Sequence, residues 1–187
     1  ERRLTALSEK QVTSGARSID EISADAMEQI RKRRGTAGQV TGVTSGFKDL
    51  DYWTAGFQPS ELIILAARPA MGKTAIVSCI AHAVAVSGKS VLEFSLEQKD
   101  EQIAERILTQ RAQVNGHSLR AGTITDSDLI RLEKAERDIS DLPLVIASKP
   151  EQTMSQIAAI ARRHHRRSKL GILLIDYLQL IRPESES

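Results

Sequence analysis

Residues 62–74 read Leu-Ile-Ile-Leu-Ala-Ala-Arg-Pro-Ala-Met-Gly-Lys-Thr, an apolar run followed by a short loop that ends in Gly-Lys-Thr. The run Leu62–Ala66 is typical of a strand buried on both faces, and the apolar stretch after Lys73 is typical of a helix. A strand, a loop and a helix in this order form the context of a P-loop, which binds nucleotide phosphates. We therefore expect phosphate binding by Ala67, Arg68, Pro69, Ala70, Met71, Gly72, Lys73 and Thr74.

Each chemical group of this loop has a predicted role. Gly72 permits close approach of the backbone to the phosphates, and the amides at the helix N-terminus attract anions. Lys73 is expected to meet the β- and γ-phosphates, and Thr74 is expected to hold Mg²⁺. Ala67 stands where the general pattern has glycine, but the strand and helix on either side outweigh this departure. The predicted ligands are ATP and Mg²⁺.

The rest of the chain alternates between short apolar strands and helices. This alternation predicts an α/β fold with a mostly parallel sheet that is covered by helices on both faces. The predicted strands after the P-loop are Ser90–Ser95, Leu144–Ala147 and Gly171–Asp176. The predicted helices are Lys73–Ser87, Asp100–Ala112, Thr125–Ile139 and one that opens with a capping box of Thr153 and Gln156.

Two carboxylates follow apolar strands. Asp176 closes the strand Gly171–Asp176, so it is expected to reach the magnesium shell beside Thr74, because ligands gather at the carboxyl ends of parallel strands. The alternative for Asp176 is a helix N-cap. Glu97 lies two residues beyond the strand Ser90–Ser95, where it could orient and deprotonate an attacking water molecule. The alternative for Glu97 is an exposed charge on a loop.

The composition gives little support for a nucleic-acid-binding charge, a disulfide-bonded protein or a membrane-spanning protein. The chain has 187 residues, 26 basic and 24 acidic, so its net charge gives little steering toward nucleic acid. Its single cysteine, Cys79, lies in an apolar stretch, so we expect it to be buried packing in a reducing, cytoplasmic setting. No apolar run reaches the roughly 18 residues that a membrane span needs. The basic stretch 162–169 lies at the C-terminal end of a predicted helix, where cations complement the helix dipole, so it is interpreted as a solvated helix end rather than a DNA-binding surface. Its adjacent histidines lack further ligands at the spacing of a zinc site.

The N-terminal part is expected to be helical. Residues 1–12 could form a short helix, and a second helix is predicted from Ser18 to about Arg33, followed by a flexible joint at Gly35–Gly38. The second helix carries a narrow apolar stripe that needs a partner surface. That surface could belong to its own domain or to a neighbouring subunit. We place the domain boundary between residues 1–38 and 39–187.

Several motifs occur in an order that resembles the C-terminal motor domain of DnaB-type replicative helicases. They are Gly42–Phe47, Leu50-Asp51, Ala55–Leu62, Ala67–Thr74, Phe94–Glu97 and Ile175–Leu180. The resemblance covers about residues 40 to 182 and implies a RecA-like P-loop NTPase preceded by a helical linker. It also implies that alanine is tolerated at the first P-loop position, where Ala67 stands.

The resemblance assigns roles to individual residues. Lys73 and Thr74 are assigned to phosphate and magnesium, Glu97 to the catalytic base, Asp176 to the magnesium-associated carboxylate, and Gln179 to sensing of the γ-phosphate. Gln98 stands where the family often has methionine. The resemblance also implies a homo-oligomer, a hexameric ring in which the linker helix docks on the next subunit. Single-stranded DNA would pass through this ring, with primase and a helicase loader as further partners.

The resemblance further implies that parts of the motor lie beyond Ser187. An arginine finger supplied in trans is worth about 10³ to 10⁵ in rate, so we expect this chain to bind nucleotide but to be weakly active. Two other interpretations remain open from sequence. One is a RecA-like ATP-binding regulatory or scaffold protein, and the other is a small-molecule kinase with a P-loop.

Overall fold

The computed structural model describes residues 17–35, 39–68 and 71–184. The predicted helix at residues 1–12, part of the joint at Gly35–Gly38, and Pro69 and Ala70 lie outside these residues. The chain divides into two compact units, residues 1–41 and residues 42–187.

The described part of the first unit is one helix, α1, Ile19–Arg33. Its N-terminus is capped as predicted, because the Ser18 side chain accepts a hydrogen bond from the Glu21 amide. Acidic residues in the first turn and basic residues in the last turn complement the helix dipole. None of its residues is buried, and Ile19 and Ile30 are 80% and 57% exposed.

The second unit alternates between helices and strands. After α2, Lys48–Thr54, come α3, Lys73–Val86, and β1, Ser90–Ser95. Helices α4, Asp100–Ala112, α5, Gly116–Arg120, and α6, Asp126–Ser140, precede β2, Leu144–Ala147. Helix α7, Met154–Ser168, β3, Leu170–Asp176, and a 3-10 turn, Leu178–Leu180, follow. The predicted capping box of Thr153 and Gln156 is present at α7.

The described strands form a parallel sheet in the order β2-β1-β3. One face packs against α3 in a cluster around Ala81, Val84 and Val91. The other face packs against α7 in a cluster around Leu92, Phe94 and Ile157. Helices therefore cover both faces, and the predicted α/β architecture is confirmed. Strand β1 is buried along its whole length because it has a neighbour on each side and a helix on each face.

The predicted strand Leu62–Ala66 is wrong in this structure. The segment has no strand pairing among the described residues, and Leu62 and Ile64 are 86% and 71% exposed. An apolar run predicts burial but does not specify a partner, and a parallel strand is stabilised by neighbours and by helices on its faces. The loop therefore follows an unpaired apolar segment rather than a strand.

Two further details differ from expectation, the burial of Cys79 and the presence of two short helices. Cys79 is only half-buried, and its sulfur accepts a hydrogen bond from Gln110. The short helices α2 and α5 had no predicted counterpart, because each is too short to show a helical period. Within the described ranges, no helix is both long and apolar enough to cross a membrane.

Gly171 lies at an irregularity in the pairing of β1 with β3, where Ser90 pairs with Leu170 but Val91 pairs with Ile172. A Cβ atom on Gly171 would lie 2.9 Å from the Lys89 Cβ and 3.2 Å from the Ser90 carbonyl oxygen. We expect Gly171→Ala to lower the free energy of unfolding by about 1–3 kcal/mol, because the two backbones must separate. Urea unfolding measures this change.

Gly116→Ala is the matched control, since its Cβ would meet only the flexible end of Arg120 at 3.8 Å among the described residues. This control is expected to leave the unfolding free energy unchanged or slightly higher. Equal stability of the Gly171→Ala variant and the unmodified chain would contradict the role of Gly171.

Candidate phosphate- and magnesium-binding site

The N-terminus of α3 presents the groups that the P-loop interpretation requires. Gly72 precedes the helix with a φ of 86°, a conformation that favours glycine. No atom of the described residues lies within 4 Å of the position that a Gly72 Cβ would take. The preceding residues Ala67, Arg68 and Met71 are exposed, and the Met71 amide donates to the Arg68 carbonyl at 3.3 Å. The backbone in front of the helix is therefore accessible to a ligand.

Asp176 joins the P-loop helix to the far end of the chain. One oxygen of its carboxylate, Oδ1, lies 2.8 Å from the Lys73 ammonium, and the other, Oδ2, accepts the Thr74 hydroxyl at 2.7 Å. Asp176 is only 2% exposed, whereas the Lys73 side chain is 25% exposed. The three residues that the sequence assigned to phosphate and metal are thus in direct contact, although 102 positions separate Thr74 from Asp176.

Tyr177 is a site residue that the sequence reasoning missed. The Lys73 ammonium lies 4.0 Å from the centre of the Tyr177 ring, which is a favourable cation–π arrangement. Tyr177 follows Asp176 directly, so the end of β3 supplies two of the contacts that hold Lys73. The adjacency of an aromatic residue to the acidic strand end was the available signal.

Glu97 lies on an exposed turn after β1, the place predicted for it. Hydrogen bonds hold the residues on both sides of Glu97. The Leu96 amide donates to the Asp176 carbonyl at 2.8 Å, and Ser95 exchanges hydrogen bonds with the Gln98 backbone. Among the described residues, Glu97 has no hydrogen bond to Lys73, Thr74 or Asp176.

Gln179 lies in the exposed 3-10 turn that follows β3. In the described part of the chain, it likewise has no hydrogen bond to Lys73, Thr74 or Asp176. The structure therefore brings Lys73, Thr74 and Asp176 together. It places Glu97 and Gln179 just beyond the ends of two neighbouring strands but outside this cluster.

Glu93 is a second residue that the sequence reasoning missed. It lies in the middle of β1, fully buried, and neither carboxyl oxygen has a hydrogen-bond partner among the described residues. Burial and the nearby charge of Asp176 raise the pKa of Glu93 to about 7, although Arg106 acts in the opposite direction. A single acidic residue within an apolar strand was the signal.

The donor set fits a magnesium–triphosphate ligand. Thr74 and Asp176 offer a hydroxyl and a carboxylate, the hard oxygen ligands that Mg²⁺ prefers. Lys73 and the N-terminus of α3 offer positive charge to phosphate. Across residues 17–35, 39–68 and 71–184 there is no group of three or more His, Cys, Asp or Glu side chains that could form a separate metal site.

The basic stretch 162–169 lies at the C-terminal end of α7, as expected, with most of its side chains exposed. His164 is half-buried and shares a hydrogen bond of 2.7 Å with Ser90. This stretch lies far from Asp176, because it directly precedes the first residue of β3, whereas Asp176 is the last residue of that strand.

Comparison with known proteins supports the same interpretation. Residues 42–187 match the family described as the DnaB-like helicase C terminal domain. The chain is 37% identical to the replicative DNA helicase DnaC of Bacillus subtilis and 36% identical to the replicative DNA helicase DnaB of Geobacillus stearothermophilus. Each alignment covers 100% of this chain and 41% of the relative, so the chain spans less than half the length of these relatives.

Solved structures agree with the sequence comparison. One solved ATPase domain superposes with a TM-score of 0.81 at 30% identity, covering 92% of this chain and 61% of that one. A DnaB-like replicative helicase, described with its interactions with primase, superposes with a TM-score of 0.80 at 29% identity, covering 98% of this chain and 45% of that one. The fold is RecA-like, and the chain belongs to the family of DnaB-like helicase C-terminal domains.

Proposed function

We propose that this chain is part of the ATP-driven motor of a replicative DNA helicase, which couples ATP hydrolysis to the unwinding of duplex DNA. The observation that carries the proposal is the contact of Asp176 with both Lys73 and Thr74. It places a buried carboxylate, an ammonium group and a hydroxyl at the N-terminus of one helix. Family membership then connects this phosphate-binding arrangement to helicases rather than to kinases.

In this proposal the residues of Ala67–Thr74 bind the triphosphate of ATP. Lys73 supplies positive charge to the β- and γ-phosphates, and the α3 N-terminus supplies amide donors. Thr74 and Asp176 would hold Mg²⁺, which neutralises phosphate charge when bound. Tyr177 keeps the Lys73 ammonium close to the strand end.

Glu97 is proposed as the general base. It would accept a proton from the water molecule that attacks the γ-phosphorus, while the bond from that phosphorus to the bridging oxygen of ADP breaks. Gln179 is proposed to sense the γ-phosphate, since it lies on the turn directly after Asp176 and Tyr177. Both side chains are exposed, so substrate and water can reach them.

The N-terminal segment, residues 1–38, is proposed to dock on the next subunit of a hexameric ring, and residues 39–187 to belong to the motor domain. What supports docking is the apolar stripe of α1: Ile19, Ile22, Ala26 and Ile30 are all exposed. An amphipathic helix with an exposed stripe is stabilised when a partner covers it. Single-stranded DNA, primase and a helicase loader are proposed partners of the complete protein, in the cytoplasm.

Nucleotide binding and turnover test this proposal directly. We expect a fluorescent ATP analogue to bind in a magnesium-dependent way, and Lys73→Ala to weaken binding about 10-fold or more, because a charge-assisted contact is lost. Lys89→Ala is the matched control, since Lys89 precedes β1 at the opposite end of the strand. Turnover is expected to be slow with or without single-stranded DNA, because an arginine finger supplied by a neighbouring subunit raises the hydrolysis rate by a factor of about 10³ to 10⁵.

Three outcomes would overturn parts of the proposal. Equal nucleotide binding by the unmodified chain and Lys73→Ala would exclude the P-loop site. Rapid turnover that DNA stimulates would show that residues 1–187 already contain a complete motor. Nucleotide binding by the complete protein with no unwinding of a forked duplex would instead favour an ATP-binding scaffold.

A further inference from the structure

We propose that Gln98 and Arg106 are positioning residues for Glu97, and that they fix the turn carrying this candidate base to helix α4. The inference rests on the proposed function, since it assumes that Glu97 acts in ATP hydrolysis. Gln98 is the residue next to Glu97 on this turn, and its side chain reaches Arg106 on the helix that follows. A polar link of this kind restricts the turn at the position adjoining the candidate base.

The first support for this inference is the backbone of the turn. The Ser95 hydroxyl donates to the Gln98 carbonyl at 2.8 Å and accepts from the Gln98 amide at 3.3 Å. The Leu96 amide is bound to the Asp176 carbonyl at 2.8 Å. One side of Glu97 is thus fastened to the strand that carries the candidate metal carboxylate.

The second support is the side chain of Gln98. Its Oε1 atom accepts a hydrogen bond of 3.2 Å from an Nη atom of Arg106, which lies in the second turn of α4. Both side chains are half-buried, so water competes less for this hydrogen bond than it would at an open surface. The other side of Glu97 is thus fastened to a helix.

Helix α4 is itself held in place by its neighbours. Ile103 and Ile107 are 0% and 3% exposed, and the helix packs against both α3 and α6. Arg106 projects from this helix close enough to the buried Glu93 for its charge to act on that carboxyl group. The hydrogen bond between Gln98 and Arg106 therefore connects the turn to a helix that is well packed in the core.

The consequence is that the backbone position of Glu97 is restricted on both sides, although its own side chain is exposed. A general base must lie within hydrogen-bond reach of the water that it deprotonates, and a small displacement lowers the rate strongly. Gln98 and Arg106 would therefore affect the hydrolysis step while they leave nucleotide binding unchanged, because in the described part of the chain their side chains have no hydrogen bond or ion pair with Lys73, Thr74 or Asp176.

Amide hydrogen exchange tests the anchoring itself. We expect Gln98→Ala to raise the exchange rates of the Leu96 and Gln98 amides about tenfold, because one hydrogen bond to a charged group is lost. Gln98→Glu, which keeps an oxygen acceptor for Arg106, is expected to retain the original exchange rates. Gln102→Ala is the matched control, an exposed glutamine on helix α4, which also carries Arg106. Unchanged exchange in Gln98→Ala would overturn the inference.

Single-turnover hydrolysis tests the effect on chemistry. An excess of the chain is mixed with trace radiolabelled ATP, so that a rate on the order of 10⁻⁴ per second can be followed over hours. Gln98→Ala and Arg106→Met are each expected to lower the rate about 10- to 100-fold with nucleotide affinity unchanged. The double variant should be no slower than the slower single variant, because both changes break the same link.

Glu97→Gln separates the two hypotheses. If Glu97→Gln abolishes hydrolysis and Gln98→Ala does not slow it, the positioning inference is wrong and the proposed base stands. If Glu97→Gln hydrolyses ATP at the original rate, the proposed base is wrong, whatever hydrogen exchange shows for Gln98. A loss of nucleotide affinity in Gln98→Ala equal to its loss of rate would also contradict a positioning role.

Discussion

Asp176→Asn is expected to weaken the affinity of the nucleotide-bound chain for Mg²⁺ by about 10- to 100-fold, the usual cost of removing a carboxylate that supports a metal site. The asparagine keeps the size of the side chain, and the backbone carbonyl that binds the Leu96 amide is unchanged. The substitution therefore removes a negative charge next to Lys73 and Thr74 with little other change. Titration of Mg²⁺ in the presence of a fluorescent nucleotide measures the effect.

Asp138→Asn is the matched control for this experiment. Asp138 also accepts a hydrogen bond from a basic side chain, Arg111 at 3.1 Å, but the pair is at the surface between α4 and α6. Its substitution is expected to leave the affinity for Mg²⁺ unchanged, because exposed ion pairs contribute little. Identical magnesium titrations for Asp176→Asn and the unmodified chain would show that Asp176 serves only to position Lys73 and Thr74.

Glu93→Leu is expected to make the protein more stable at pH 8, by about 3 kcal/mol. The pKa of Glu93 is about 7 in the folded chain, against an ordinary value of 4.5, because of burial and the charge of Asp176. The folded state keeps a proton that the unfolded state releases, so stability falls as the pH rises from about 4.5 through 7. Leucine removes this titration and fills the same buried position.

Urea unfolding at three pH values, one below, one near and one above the folded-state pKa of about 7, measures this effect. The free energy of unfolding of the Glu93→Leu variant should change less with pH than that of the unmodified chain, and the two curves should diverge as the pH rises. Glu105→Gln, an exposed position on α4, controls for the loss of one carboxylate. Parallel pH dependences for the unmodified chain and Glu93→Leu would show that Glu93 does not titrate in this range.

Local sequence patterns predicted most elements of the second unit. Strands Ser90–Ser95 and Leu144–Ala147 and helix Asp100–Ala112 have the predicted bounds, because apolar spacing and helix caps are local signals. The prediction of a strand at Leu62–Ala66 was wrong, because strand formation depends on more than local signals. Whether an apolar run becomes a strand depends on the neighbour that pairs with it, and that neighbour is not encoded within the run.

The candidate site likewise contains contacts that the sequence predicts and contacts that depend on how separate elements pack together. The closeness of Asp176 to Thr74 was predicted, because ligands gather at the carboxyl ends of parallel strands, but the contact of Asp176 with Lys73 was not. The contact of Gln98 with Arg106 was not predicted either, because it depends on where the second turn of α4 lies relative to β1. Side-chain contacts between elements require the packing angle of a helix on a sheet, which a single sequence does not specify.

The pairing of Ser95 with Asp176 determines where the chain can tolerate a change of length. Side chains alternate between the two faces of a strand, so one residue inserted into or deleted from β3 would turn Asp176 toward the opposite face of the sheet. The turn at residues 121–123, between α5 and α6, is exposed, and insertions there would leave the pairing intact. Among natural variants, insertions and deletions should therefore accumulate between residues 121 and 123 and be rare between residues 170 and 176.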